Sequence, residues 1–237
     1  YEGSIPTLQQ VIDKTKVEVV ITTKIPDMLG FLPRTLVNYA LKKKGLVPTW
    51  KLPGTPVSFR EVLAKGKSKI YHRPSLNHSD IAFLQYTGGT TGLSKGATLT
   101  HGNIVCNVLQ ARGWLEPAGI EEGKEIIVTA LPLYHIFALT ANCLNFMSMG
   151  GKNVLVTDPR NMPDFVRQLG AHKFTAFTGV NTLFNGLLNT PGFEKIDFSA
   201  LKLTLGGGAA VLPSTAAQWK KVTGKVITEA YGLTETS

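Results

Sequence analysis

Beyond Ser79 the chain alternates between two hydrophobic patterns. Short apolar runs at residues 81–85, 126–130, 153–156, 174–177, 201–205 and 225–228 have the length of strands, and Ile126, Ile127, Val128 and Thr129 show the β-branched character strands favour. Between them, residues 102–113, 137–149, 162–169, 180–188 and 213–222 space their apolar side chains along one face of a helix. Pro213 suits an early helical position, while Gly170 and Gly224 suit helix ends. Strands that alternate with helices predict an α/β fold, a largely parallel sheet with helices on both faces. Ligand loops in such a sheet gather at the carboxyl ends of the strands.

The front of the chain reads differently. A short helical pattern over 8–15 precedes residues 17–22, five of which are β-branched, and a buried strand is predicted there. Pro26, Pro33, Pro48, Pro53, Pro56 and Pro74 then bracket a stretch with one predicted helix, 36–44, which ends in Lys42, Lys43 and Lys44 before Gly45. The chain thus divides into a basic, proline-rich part over 1–75 and an α/β part over 76–237.

Charge sharpens that division. The 237 residues carry a net charge of +9, and residues 1–75 hold 13 Lys or Arg against 5 Asp or Glu. Basicity confined to one segment, without interleaved aromatics for base stacking, argues against nucleic acid as a partner. The three lysines lie near Leu29, Phe31, Leu32, Leu36, Val37, Tyr39 and Leu41, which leaves two readings: contact with an anionic membrane surface, or a solvated basic face.

Residues 126–151 contain no Asp, Glu, Lys or Arg and are long enough for a membrane span. Pro132, His135, Asn142 and Asn145 interrupt them, so a strand, a loop and a core helix are predicted instead. Cys106 and Cys143 are too few for a disulfide framework and have no metal-ligand spacing, which fits a reducing cytoplasm. The opening at Tyr1 lacks the features of a secretory signal and reads as part of an excised segment.

Candidate chemistry concentrates in residues 86–96. Gly88, Gly89, Gly92 and Gly96 let main-chain N–H groups approach an anion, Thr87, Thr90, Thr91 and Ser94 add hydroxyl donors, and Lys95 adds positive charge. This is a polyphosphate cradle. It is not a Walker A loop, because Lys95 follows Ser94 and precedes Gly96, and it lacks the G-x-G-x-x-G spacing of a dinucleotide fingerprint.

The cradle resembles the phosphate-binding signature of the acyl-adenylate-forming enzymes, which include acyl-CoA synthetases, luciferases and peptide-synthetase adenylation domains. Three further segments carry the resemblance in family order. Residues 131–137, Leu-Pro-Leu-Tyr-His-Ile-Phe, resemble the acyl-pocket segment; 206–210, Gly-Gly-Gly-Ala-Ala, the strand end beside adenine; and 231–235, Tyr-Gly-Leu-Thr-Glu, the adenine and magnesium motif. With residues 177–184 included, the whole chain is similar to bacterial long-chain fatty acid CoA ligases, as part of their large N-terminal domain.

That resemblance implies two half-reactions. A fatty acid carboxylate attacks the α-phosphorus of ATP to form acyl-AMP and pyrophosphate, and the thiol of coenzyme A then displaces AMP. No protein nucleophile is needed, so the site must hold two anions together and neutralise the charge that develops. By motif, Thr87, Gly88, Gly89, Thr90, Thr91, Gly92, Ser94 and Lys95 hold the β and γ phosphates. Tyr231, followed by Gly232, stacks on adenine with Gly207, Gly208 and Ala209 against its other side. Thr234 contacts the α phosphate and Glu235 binds Mg2+. His135 lies near the acyl carboxylate, the alternative being a core histidine bonded to a backbone carbonyl. Lys95, His135, Thr234 and Glu235 are therefore the catalytic candidates. Val180 and Phe184, on a predicted helix with Leu187 and Leu188, read either as acyl-tunnel wall or as ordinary helix-on-sheet packing.

The resemblance also implies that the ribose-binding acid, a hinge and a C-terminal domain with a catalytic lysine lie beyond Ser237, so residues 1–237 alone are expected to be inactive. For the parent a homodimer and a cytoplasmic setting are expected, with peripheral contact at the inner membrane face if the first reading of the basic front segment holds. Two other readings stay open: another adenylate-forming enzyme such as an aryl-CoA ligase, and a noncatalytic nucleotide-binding module.

Overall fold

The computed structural model describes every residue except Pro53, Gly88, Gly89, Thr90, Thr91 and Leu93. The chain forms two compact units, Tyr1–Pro74 and Ser75–Ser237.

In the first unit, α1 (Ile5–Gln9) and a 3-10 turn (Ile12–Lys14) bury Ile5 and Ile12 with Leu52 in a small core. β1 (Ile21–Thr22) is all that forms of the strand expected over 17–22, and Val17 and Val19 are exposed. β-branched composition favours extended backbone, but burial needs a covering surface, and this core reaches only Val20. α2 (Phe31–Lys43) starts ahead of the predicted helix, because Pro33 falls in its first turn, where a missing N–H costs nothing. None of its residues is buried. β2 (Val57–Ser58) pairs in parallel with β1. It leads into α3 (Phe59–Gly66), whose N-cap Ser58 accepts a hydrogen bond from the Glu61 N–H.

The second unit opens with an antiparallel hairpin of β3 (Ile81–Thr87) and β4 (Lys95–Thr100). This corrects the expectation that residues 81–85 join the parallel sheet. β4 was not predicted, since its two apolar residues, Ala97 and Leu99, make a short period-two signal between Thr98 and Thr100. β4 runs straight into α4 (His101–Leu115), where Thr100 and Asn103 form a reciprocal capping box.

Five strands make the main sheet: β5 (Ile126–Thr129), β6 (Lys152–Leu155), β7 (Ala176–Gly179), β8 (Leu203–Gly206) and β9 (Thr228–Glu229). Their order is β6-β5-β7-β8-β9 and all pairings are parallel. α5 (Asn145–Ser148), α6 (Met162–Gly170), α7 (Asn181–Leu188) and α8 (Pro213–Thr223) follow the strands. Pro213 opens α8, and Gly224, with φ of +74°, closes it as predicted.

Strand period two decides the two faces. Ile127 and Ala176 pack with Leu115, Phe146 and Met149 on one face. Their neighbours Val128 and Phe177 pack with Phe165, Phe184, Leu187 and Trp219 on the other. There the Trp219 ring lies 4.9 Å from Phe184, edge to face, and 5.5 Å from Phe177. Its Nε1 donates to Thr204 Oγ1 at 3.2 Å, so the buried indole is satisfied. The uncharged run 126–151 resolves into β5, a loop, a π-helical segment (Ala138–Leu144) and α5. Among the described residues no helix is long and apolar enough to cross a membrane.

At the amino ends of the strands lies a buried ion pair. Glu125 is 1% exposed, and its Oε1 accepts from Lys202 Nζ at 2.8 Å and from the Glu121 N–H at 2.6 Å. Burial would raise the Glu125 carboxyl, but hydrogen bonds from Lys202, Thr175 and the Glu121 N–H outweigh it and hold the group below its ordinary value. Lys202→Met strands that carboxylate, and we expect urea unfolding at neutral pH to register a loss on the order of 2 kcal/mol. The depressed carboxyl also sets the sign of the pH response. As pH falls below the ordinary carboxylate value the unfolded chain protonates first, so wild-type stability declines, and the contribution is gone below the folded value. In the variant this part of the acid sensitivity should disappear.

Candidate functional site

Of the cradle residues 86–96, Tyr86 and Thr87 end β3 and Lys95 and Gly96 begin β4. Thr87 and Lys95 face each other in register, with Thr87 Oγ1 donating to Lys95 O at 3.3 Å. Gly92, Ser94 and Lys95 are exposed. Gly88, Gly89, Thr90 and Thr91 lie outside the described residues.

Contacts tie the four motif segments into a circuit. Ile136, in the 131–137 segment, packs with Leu99 of β4 and with Ile104 and Val108 of α4. Gln85 Nε2 donates to Tyr134 O, a second link between hairpin and segment. Phe137 then meets the carboxyl end of β8. A Cβ on Gly207 would lie 2.9 Å from the Phe137 ring and 3.3 Å from Ala230 O, so only glycine permits this approach. The Ala230 N–H donates to Gly206 O at 2.7 Å, which holds the backbone leading into Tyr231. Finally, the 3-10 turn Thr234–Thr236, which carries Glu235, packs against β4. Ser237 O accepts from Thr140 Oγ1 at 3.0 Å and from Asn107 Nδ2.

Three groups inside this circuit stand open to solvent. Tyr231 is 91% exposed, and Glu235 and His135 are exposed too. His135 Nδ1 accepts from the Phe137 N–H at 3.3 Å, so the imidazole is not buried in the core. An open cleft of about 380 Å³ runs between the hairpin and the histidine segment, lined by Phe83, Gln85, Tyr86, Leu133, Tyr134 and Leu139 among others.

Comparison with known proteins bears on this arrangement directly. The AMP-binding enzyme family matches residues 4–237. The chain belongs to that family. It is 52% identical over 98% of its length to a long-chain-fatty-acid–CoA ligase of Haemophilus influenzae, and 51% identical over 97% to one of Escherichia coli O157:H7. It spans 41% of the length of each. In fold it is similar to ATP-bound MatB from Rhodopseudomonas palustris, with a TM-score of 0.66 and 23% identity over 98% of this chain and 43% of that one.

In this AMP-binding fold the residues named from sequence do not all gather at one place. Gly207 is buried at the carboxyl end of β8, while Gly208, with φ of +77°, Ala209 and Gly232 are exposed, and Thr234 is half-buried. Val180 caps α7 close to Gly208, where a Cβ would lie 3.5 Å from its Cγ1. Phe184 parts from it. The ring is fully buried against Trp219 and Phe177, and it occupies the space a Cβ on Gly179 would need, at 2.9 Å.

Sequence reasoning passed over Thr140 and Asn107, and used Asn142 only as an interruption of the uncharged run. Thr140 and Asn142 are both buried, and their signal was visible as polar side chains inside an uncharged apolar run. Phe184→Ala removes a packed core ring and is expected to cost about 3–5 kcal/mol in denaturant unfolding. A loss below about 1 kcal/mol, the range of surface changes, would instead return Phe184 to a pocket wall.

Proposed function

We propose that the full-length protein carrying this chain activates a long-chain fatty acid with ATP, forming acyl-AMP and then, with coenzyme A, acyl-CoA. The observation that carries the reading is the packing of β4, which begins at Lys95, against the turn that holds Glu235. A candidate phosphate hairpin whose second strand packs on the turn that bears an exposed carboxylate suits a metal-nucleotide triphosphate, and the long-chain ligase names of relatives about half identical support the acyl class.

Residue roles follow from chemistry. Lys95 and the hairpin donors, Thr87, Gly92 and Ser94 among them, neutralise the β and γ phosphates. The open ring of Tyr231 is a stacking platform for adenine, worth about 1–3 kcal/mol, with the backbone at Gly207, Gly208 and Ala209 closing the other side. Thr234 donates toward the α phosphate. His135, next in sequence to the cleft-lining Tyr134, orients the attacking carboxylate, and Val180, at the N-cap of α7 and close to Gly208, contributes to the acyl pocket. Among the described residues no cluster of three or more His, Cys, Asp or Glu could cage a metal. One exposed carboxylate, Glu235, is the donor set that suits Mg2+, which binds through one or two carboxylates, waters and substrate phosphates. When bound, the ion supplies charge stabilisation to the phosphates.

A second proposal concerns delivery of the acid. Leu32, Leu36 and Tyr39 form an exposed stripe on α2 at helical spacing, and Lys42, Lys43 and Lys44 continue it. An apolar stripe with a basic end fits the surface of an anionic bilayer, where fatty acids partition.

Pyrophosphate exchange into ATP by the full-length protein should require a long-chain carboxylate. A preference for aromatic acids would assign the site to an aryl-CoA ligase, and nucleotide binding without exchange would leave a noncatalytic module. His135→Ala should lower exchange about tenfold or more, since orientation is its task. Undiminished exchange removes that role. Changing Lys42, Lys43 and Lys44 to glutamate should abolish flotation with anionic liposomes, each lysine contributing about 1 kcal/mol near such a surface. Unaltered flotation would reject α2 as the contact.

A further inference from the structure

The loop that leaves β8, residues 207–211, is tied at both ends to the strand that leads into Tyr231. At its entry Gly206 O accepts from the Ala230 N–H at 2.7 Å, and at its exit the Val211 N–H donates to Glu229 Oε2 at 3.2 Å. Glu229 and Ala230 are neighbours in sequence, and Glu229 stands opposite Gly206 in the register of β8 and β9. The Val211 side chain, 7% exposed, folds back over Gly206, where a Cβ would meet it at 2.7 Å. Just past the exit the Leu212 N–H donates to Asn181 Oδ1 at 2.9 Å, which joins the start of α8 to the start of α7.

Between these ties Gly208, Ala209 and Ala210 are exposed, and Gly208 takes a left-handed φ of +77°. Small exposed residues do little to choose their own backbone conformation, and glycine has the most conformational freedom to lose. The bonds at the ends of the loop must therefore supply the order. Glu229 is itself exposed, so the core does not depend on its side chain. An ionised acceptor makes a stronger bond to a backbone N–H than a neutral one.

We infer that Glu229 is a positioning residue whose carboxylate holds the loop 207–211 at a set distance from the strand that presents Tyr231, and so sets the width of the adenine slot. Asn181 steadies the same loop from α7. The inference rests on the proposed function and deepens it. Glu229 acts through the Val211 N–H, so what matters is an acceptor at that point and not a negative charge. A loop that keeps its binding geometry only about a tenth of the time once released would lower apparent ATP affinity about tenfold.

The test uses the full-length protein and the pair Glu229→Ala, which deletes the acceptor, and Glu229→Gln, which keeps an acceptor and removes the charge. In the alanine variant amide hydrogen exchange over residues 207–212 should quicken while β5 and β7 keep wild-type rates, a local opening without a global one. Calorimetric ATP affinity should fall about tenfold with the melting temperature nearly unchanged, and glutamine should restore both readouts. Wild-type amide exchange over 207–212 in Glu229→Ala would overturn the inference, and so would quickened exchange with undiminished ATP affinity. A loss in Glu229→Gln as large as in alanine would also overturn it, because charge and not the bond would then be at work. If Glu229→Ala does not fold, Asn181→Ala frees the Leu212 N–H at the same exit. The same quickened exchange and weaker ATP binding are expected there, and wild-type values would reject the brace. Absence of ATP binding in the wild type would sink the proposed activity, while the amide exchange rates would still decide whether Glu229 holds the loop.

Discussion

Burial of the three central strands on both faces is the constraint from which the rest of the second unit follows. β5, β7 and β8 are short, and alternate residues point into different aromatic and aliphatic layers, Ile127 and Ala176 to one side, Val128 and Phe177 to the other. A shift of one residue in any strand would exchange those faces, so register is held strongly. Level registers bring the carboxyl ends of β5, β7, β8 and β9 to one edge, and the loops that leave them carry His135, Val180, Gly207 and Tyr231. The glycines at that edge answer the same packing. Gly179 makes room for Phe184, and Gly206 for Val211 and Ile227.

Polarity separates the two edges of the sheet. At the amino edge the buried carboxylate of Glu125 is paired with Lys202 and further hydrogen-bonded, because an unpaired charge there would be too costly. At the carboxyl edge His135, Tyr231 and Glu235 are left open to solvent. One set of polar groups is consumed in holding the fold together; the other remains available to a ligand. Between them runs the polar seam of Thr129, Asn142 and Thr178, buried yet bonded, which ties β5 and β7 to the π-helical segment that follows the histidine.

Most of the α/β half was legible in advance. Helices α4, α6, α7 and α8 and strands β5, β6 and β8 follow from apolar spacing, while β7 begins two residues later than the run at 174–177 and β9 shares only Thr228 with the run at 225–228; Pro213 and Gly224 marked their positions through backbone geometry alone. The failures have local causes. β4 carries too few apolar residues to announce a strand, Pro33 looked like a breaker although it sits in a first turn, and Val17 and Val19 had the composition of a strand without a surface to cover them.

By itself the sequence determined the fold class, the family motifs and the chemical character of each candidate group, because these depend on residue type and on spacing within a few residues. Only the tertiary structure decided that β3 pairs with β4 outside the parallel sheet, that the Phe184 ring packs in the core while Val180 stands close to Gly208, and that a π-helical segment follows the histidine. Each of those outcomes depends on contacts between residues tens of positions apart, whose energies come from packing and from satisfying buried polar groups, and local pattern carries no record of them.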